Sequence, residues 1–259
     1  MKKLTAITLF ALMTFCCFAE QAVLWCEDGK DLQLSEKYSK TAWFNKEIAM
    51  SALPDGGFTI SSSASKFVKF SEEYPWLCFE IIDSELVTFG KYSSWGIHVG
   101  KERKVGNVRP AAPGIYAVNL GKVDGNLLKF YIYNLKVNFR YLKLVKVPEN
   151  YLQIILPEGK TELGKGDKLR FQLTLAEPCE DLSCQLFFDA GHGPKAFNLN
   201  GTNALELKAD NDELTKWSTE VTIDKNGVAK TNSVTVKVTT LGSKLKTPIW
   251  GVITASFVQ

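Results

Sequence analysis

The sequence predicts an all-β protein made of two antiparallel β-sandwich domains, a jelly roll followed by an immunoglobulin-like sandwich. Three observations lead there. Short apolar runs alternate with polar residues at the period of a half-buried strand, clusters of Gly, Pro, Asn, Asp and Ser separate those runs, and hardly any stretch carries a helical period. A break at Pro148-Glu149-Asn150, which cannot continue a central strand, divides the series into residues 20–147 and 148–259. At 259 residues the chain is long enough for two modest cores, and a hydrophobic share of 45% with 23% charged is ordinary for globular protein.

The first residues read as an export signal. Lys2 and Lys3 precede an apolar run over residues 4–18, and Cys17-Phe18-Ala19 places small residues where a signal peptidase reads, so residues 1–19 are assigned as signal peptide. No later apolar run approaches the ~20 residues of a membrane span. The expected location is therefore secreted or periplasmic, with no membrane span after cleavage. A net charge of +3, with Lys and Arg interleaved among Asp and Glu, lacks the basic stripe that nucleic acid would need.

In the first half, strand-like runs fall at residues 58–60, 67–70, 76–82, 86–89, 95–99 and 115–120, with turn chemistry at Pro54-Asp55-Gly56-Gly57 and Asp124-Gly125. Residues 127–147 read as a closing hairpin broken at Asn134. Leu128, Phe130 and Ile132 alternate with Lys129, Tyr131 and Tyr133. Val137 and Phe139 then open a second run, whose change of phase near Tyr141 and Leu142 predicts a bulge. Strands so short and so spaced suit a jelly roll. In the second half Leu169, Phe171, Leu173 and Leu175 alternate cleanly with polar residues. Further runs at 151–156, 182–188, 204–208, 217–223, 234–239 and 249–258 bring the number to about seven strands in about a hundred residues, the size of an immunoglobulin-like sandwich.

Removing the signal leaves Cys26, Cys78, Cys179 and Cys184, an even number for an oxidising compartment. The local pair Cys179 and Cys184 is expected as one disulfide and Cys26 with Cys78 as the other. The spacing of 179 and 184 does not match a zinc site. Catalytic chemistry has little to work with. His98 and His192 are the only imidazoles, one in a strand-like setting and one in a Gly-flanked loop, and no nucleophile elbow occurs. The expectation is a non-enzyme with no metal and no cofactor.

Aromatic residues are the better lead, because sugar rings stack their apolar C–H faces on flat side chains with hydrogen-bonding groups at the edge. Tyr131 and Tyr133 share the outward phase of their run. Tyr92 and Trp95 flank Ser93-Ser94, and Arg103, Asn107 and Arg109 follow in what read as loops. These seven residues form the candidate binding group. Trp25, Trp43, Trp76, Trp217 and Trp250 lie in apolar runs and are expected in cores.

The segment Pro113-Gly-Ile-Tyr-Ala-Val-Asn-Leu-Gly121, followed by Tyr141-Leu-Lys-Leu-Val-Lys-Val147, resembles the last strands of the β-jelly-roll carbohydrate-binding modules of secreted bacterial glycan-degrading proteins. That resemblance covers residues 22–147 and implies a glycan ligand. It also implies a structural calcium held by one carboxylate near the N-terminus, Glu27 or Asp28 here, and another on the closing strand. That strand carries Asn138, Arg140 and Lys143 instead, so the calcium set is incomplete. Two functions are carried forward: a glycan-binding protein, and a structural or adhesive component that meets other surface proteins.

Overall fold

The structure is a computed structural model that describes residues 50–61, 66–69, 72–100, 102–108, 113–121, 127–160, 164–182, 184–190, 204–223, 234–240 and 245–254. Residues 1–19 (read as an export signal), Trp25, Cys26, Glu27, Asp28, Trp43, Arg109, the turn expected at Asp124-Gly125 and His192 lie outside those residues. Among the described residues every regular element is a strand, and there is no helix long and apolar enough to cross a membrane. The first half contains β1 (Met50–Ala52), β2 (Phe58–Ser61), β3 (Lys66–Lys69), β4 (Trp76–Leu86), β5 (Ser94–Val99), β6 (Glu102–Val108), β7 (Gly114–Asn119), β8 (Leu127–Tyr133) and β9 (Leu135–Val145). The second contains β10 (Tyr151–Ile155), β11 (Lys168–Thr174), β12 (Cys184–Ala190), β13 (Ala204–Glu206), β14 (Lys208–Ala209), β15 (Lys216–Thr222), β16 (Val234–Thr240) and β17 (Gly251–Thr254).

Three sheets result. A nine-stranded sheet runs β1-β2-β9-β4-β7-β17-β16-β12-β13, and four-stranded sheets β3-β8-β5-β6 and β10-β11-β15-β14 pack against its two ends. The core between the long sheet and β3-β8-β5-β6 centres on Phe79, whose ring lies 6.0 Å from Trp95, 5.9 Å from Tyr116 and 6.1 Å from Phe139. The core at the other end holds Leu169, Phe171, Leu173 and Leu175 against Leu186, Val236 and Val252, so the alternation read from the sequence points inward as expected. Each such aromatic or branched side chain removed from water contributes roughly 1.5–3 kcal/mol, which is why a strict period of two fixes strand register.

The nine-stranded sheet does not stop at Pro148. β17 returns from the end of the chain to pair in parallel with β7, Gly251 opposite Tyr116 and Val252 opposite Ala117. Strands β4, β7 and β9 are consequently covered on both faces near this point. Leu77, Tyr116, Val118, Leu142 and Leu144 turn into the first core, while Trp76, Cys78, Ala117 and Val145 form a separate cluster with Trp250. Asn150, only 2% exposed, ties this junction together. Its Nδ2 donates to Thr247 Oγ1 at 2.5 Å, its Oδ1 accepts from Ala176 N at 3.0 Å, and its carbonyl accepts from Trp250 N at 2.8 Å.

Several expectations need correction. Residues 127–147 are not a hairpin: β8 pairs with β3 and β5, β9 pairs with β2 and β4, and the chain changes sheet at Asn134. Residues 86–89 are not a separate strand, because β4 continues through Leu86 and then turns. Residues 102–108, read as loop, form β6 and pair with β5. The bulge on β9 does occur, with the register against β4 slipping where Arg140 is passed over; Arg140 Nη1 there donates to the carbonyls of Asp55 at 2.7 Å and Gly56 at 2.9 Å. Gly57 in that clasped turn has φ of 93°, and a Cβ would sit 2.4 Å from Phe139 O, so only glycine fits. The expected disulfides rest on Cys26, outside the described residues, and on Cys184, of whose side chain nothing is described. Cys78 is a buried free thiol, pushed by burial up to about 12 with Lys143 pulling the other way, and Cys179 Sγ donates to Asp181 Oδ1 at 3.5 Å.

Candidate functional site

The point where the chain changes sheet is also where its apolar surface is exposed. Two connections run side by side here, β4 to β5 and β8 to β9, each leaving one sheet of the first sandwich for the other. Leu86 opposite Leu135 closes the β4–β9 ladder, and Ser94 opposite Tyr133 opens the β5–β8 ladder. Asn134 makes the second turn in a single residue, with φ of 52°, a left-handed conformation that asparagine tolerates better than most side chains.

The Asn134 amide then fastens the two connections to each other. Its Oδ1 accepts from Thr88 N at 2.9 Å, its Nδ2 donates to Thr88 O at 3.0 Å and to Lys91 O at 3.4 Å, and its own carbonyl accepts from Val87 N at 3.2 Å. Residues 87–91 are thereby held as a fixed corner. On it stand Leu86, Val87, Phe89, Tyr92 and Tyr133, five of the seven large hydrophobic side chains exposed among the described residues. Phe89 is 93% exposed, and the Tyr92 and Tyr133 rings lie 6.1 Å apart at 39°. Lys91 stands exposed between Phe89 and Tyr92 in sequence, and Lys136 lies 3.8 Å from Glu85.

The candidate group divides accordingly. Tyr92 and Tyr133 come together at the corner. Tyr131 is half-buried on the same outward phase of β8, facing away from Phe130 and Ile132 as its alternation requires. Trp95 does not belong to the group: its side chain is fully buried between Phe79 and Phe139, at 6.0 and 6.3 Å, because β5 turns Trp95, Ile97 and Val99 into the core. Its indole Nε1 has no acceptor among the described residues. Arg103 pairs with His98, four residues along β5 from the corner and so roughly 13 Å away at about 3.3 Å per residue. Asn107 lies on β6, and Arg109 lies outside the described residues. Leu86, Val87 and Phe89 were missed because their run reads as one more strand, and only the sheet change exposes them. His98 is half-buried on β5, and among the described residues no group of His, Cys, Asp or Glu is placed to hold a metal ion.

No known protein family, curated protein or solved structure matches this chain.

Proposed function

We propose that this chain is an exported, non-catalytic binding protein. In this reading residues 20–147 form a jelly roll that binds a glycan at the corner around Tyr92 and Tyr133, and residues 148–259 form an immunoglobulin-like sandwich that serves as spacer or docking module. One observation carries it: the exposed aromatic rings of the described residues converge on a corner held rigid by Asn134, and convergent apolar surface of this kind marks recognition sites. Tyrosine suits a sugar, offering a flat face for C–H stacking and a hydroxyl for the ring's edge. Rigid presentation lowers the entropy cost of capture.

Affinity electrophoresis against a panel of polysaccharides tests this. Wild-type protein is expected to be retarded by at least one of them, with Tyr92→Ala and Tyr133→Ala each restoring free migration. No retardation by any polysaccharide overturns the reading. A second reading has its own support in Leu86, Val87 and Phe89, which carry no hydroxyl and suit an apolar protein surface better than a sugar: a structural or adhesive component of a surface assembly. Size-exclusion of the native extract would then show a stable heteromer that Phe89→Ser dissolves.

A further inference from the structure

At the other end of β9 from the corner, the junction cluster opens into a cleft of about 270 Å³ lined by Cys78, Tyr141, Lys143, Glu149, Thr247 and Trp250. Its walls come from both halves of the chain. The rings of Tyr141 and Trp250 meet nearly at right angles, 83° with centroids 6.0 Å apart, and Lys143 Nζ sits in that angle, 5.3 Å from the first centroid and 5.4 Å from the second. Lys143 is half-buried, and its alternation on β9 is fixed by Leu142 and Leu144 turning into the first core.

No carboxylate lies within 4 Å of this ammonium among the described residues, although Glu149 lines the same cleft. Lys104 has Glu102 at 2.7 Å and Lys146 has Glu73 at 2.8 Å, whereas Lys143 has neither an ion pair nor a hydrogen-bond acceptor among the described residues. The ring faces offset part of the cost of its partial burial, but an ammonium has three donors to satisfy. Pockets for drug-sized ligands run about 300–1,000 Å³, so a cleft of about 270 Å³ suits a single ring. We propose that this cleft binds an acidic sugar, its carboxylate on Lys143 Nζ and its apolar ring face against the half-buried Tyr141, with the buried Trp250 backing the lysine. Thr247 on the facing segment supplies a hydroxyl for the ring's edge. The site is separate from the corner and does not depend on the corner binding anything.

Calorimetric titration of the whole protein with glucuronate and galacturonate, with their methyl esters, glucose and acetate as controls, tests it. Wild-type protein is expected to bind at least one uronate roughly tenfold or more tighter than its methyl ester or glucose, as one charge-assisted hydrogen bond allows. Acetate is expected to bind more weakly than the uronate, since it has no ring to stack. Lys143→Met removes the preference, Lys143→Arg keeps it, and Tyr92→Ala with Tyr133→Ala leaves it unchanged. Equal binding of the free acid and its methyl ester by wild-type protein overturns the proposal without needing any variant to fold. Acetate binding as tightly as either uronate overturns it too, and so does a preference that survives Lys143→Met.

Discussion

The corner at Asn134 and the junction at Asn150 use the same device to opposite ends. Each is a buried asparagine whose amide ties together backbone far apart in sequence: residues 88 and 91 to 134 in one case, 176 and 247 to 150 in the other. Each has aromatic rings beside it. At the junction Trp76 lies 5.2 Å from Tyr151, and Trp250 lies 6.0 Å from Tyr141, so aromatic rings of β4 and β9 that would otherwise face water are covered by the second half of the chain. At the corner Tyr92 and Tyr133 meet each other while both stay exposed, and Phe89 stands clear. Whether an aromatic side chain is core or surface is thus settled by what the chain brings back to it, sometimes from a hundred residues away.

The contrast between a closed junction and an open corner can be broken most sharply at Cys78. With its thiol held at about 12 instead of 9.0, the reactive thiolate is about a thousandfold scarcer at pH 8, and burial slows access further. Maleimide labelling followed by mass spectrometry should find Cys78 inert in native protein and labelled after unfolding without reductant. Native labelling would mean the junction opens, and persistent protection after unfolding would reveal a bridge to Cys26 instead.

Trp250→Ala should come next in size. It removes the largest ring of the junction cluster and is expected to cost about 3–5 kcal/mol in urea denaturation, the range for a large core aromatic. A cost under ~1 kcal/mol would show that the junction is no part of the stable structure.

The two asparagines sharpen the comparison further. Asn150→Ala removes the side-chain hydrogen bonds to Thr247 Oγ1, Thr247 O and Ala176 N and should cost ~2–3 kcal/mol by the same measurement. Asn134→Ala should cost about as much, while Asn134→Gly should recover ~1 kcal/mol because glycine accepts the left-handed backbone that alanine resists. Equal losses for the two substitutions at Asn134 would show that its amide, and not its φ, holds the corner. Smallest of all should be Phe89→Ser. An exposed side chain with no core contact is expected to change stability by no more than ~0.5 kcal/mol, so any effect on ligand retention or assembly would report contact and not folding.

The local rules were legible in the residues. Period-two runs such as Leu169 to Leu175 and the 128, 130, 132 series turned inward as their spacing required, the turn at 54–57 formed where Pro, Asp and two glycines stood, and the phase change on β9 marked a real slip of register. Trp76, Trp217 and Trp250 were buried as their apolar settings suggested. Partners were not legible. An alternating strand carries no label for the strand beside it, so β8 and β9, adjacent in sequence, read as a hairpin although a single left-handed residue sends them to different sheets.

The sequence by itself determined that this protein is built of strands, which side chains face inward in its cleanest alternating runs, and where several turns interrupt them, because those follow from short-range sterics and from the two-residue repeat of a pleated backbone. Tertiary structure alone decided that β17 pairs with β7 across the break at Pro148, that Trp95 is core while Phe89 is surface, and that Lys143 stands between two rings. Those outcomes depend on contacts between residues far apart in the chain, and backbone hydrogen bonding, which joins any strand edge to any other, does not encode them in local pattern.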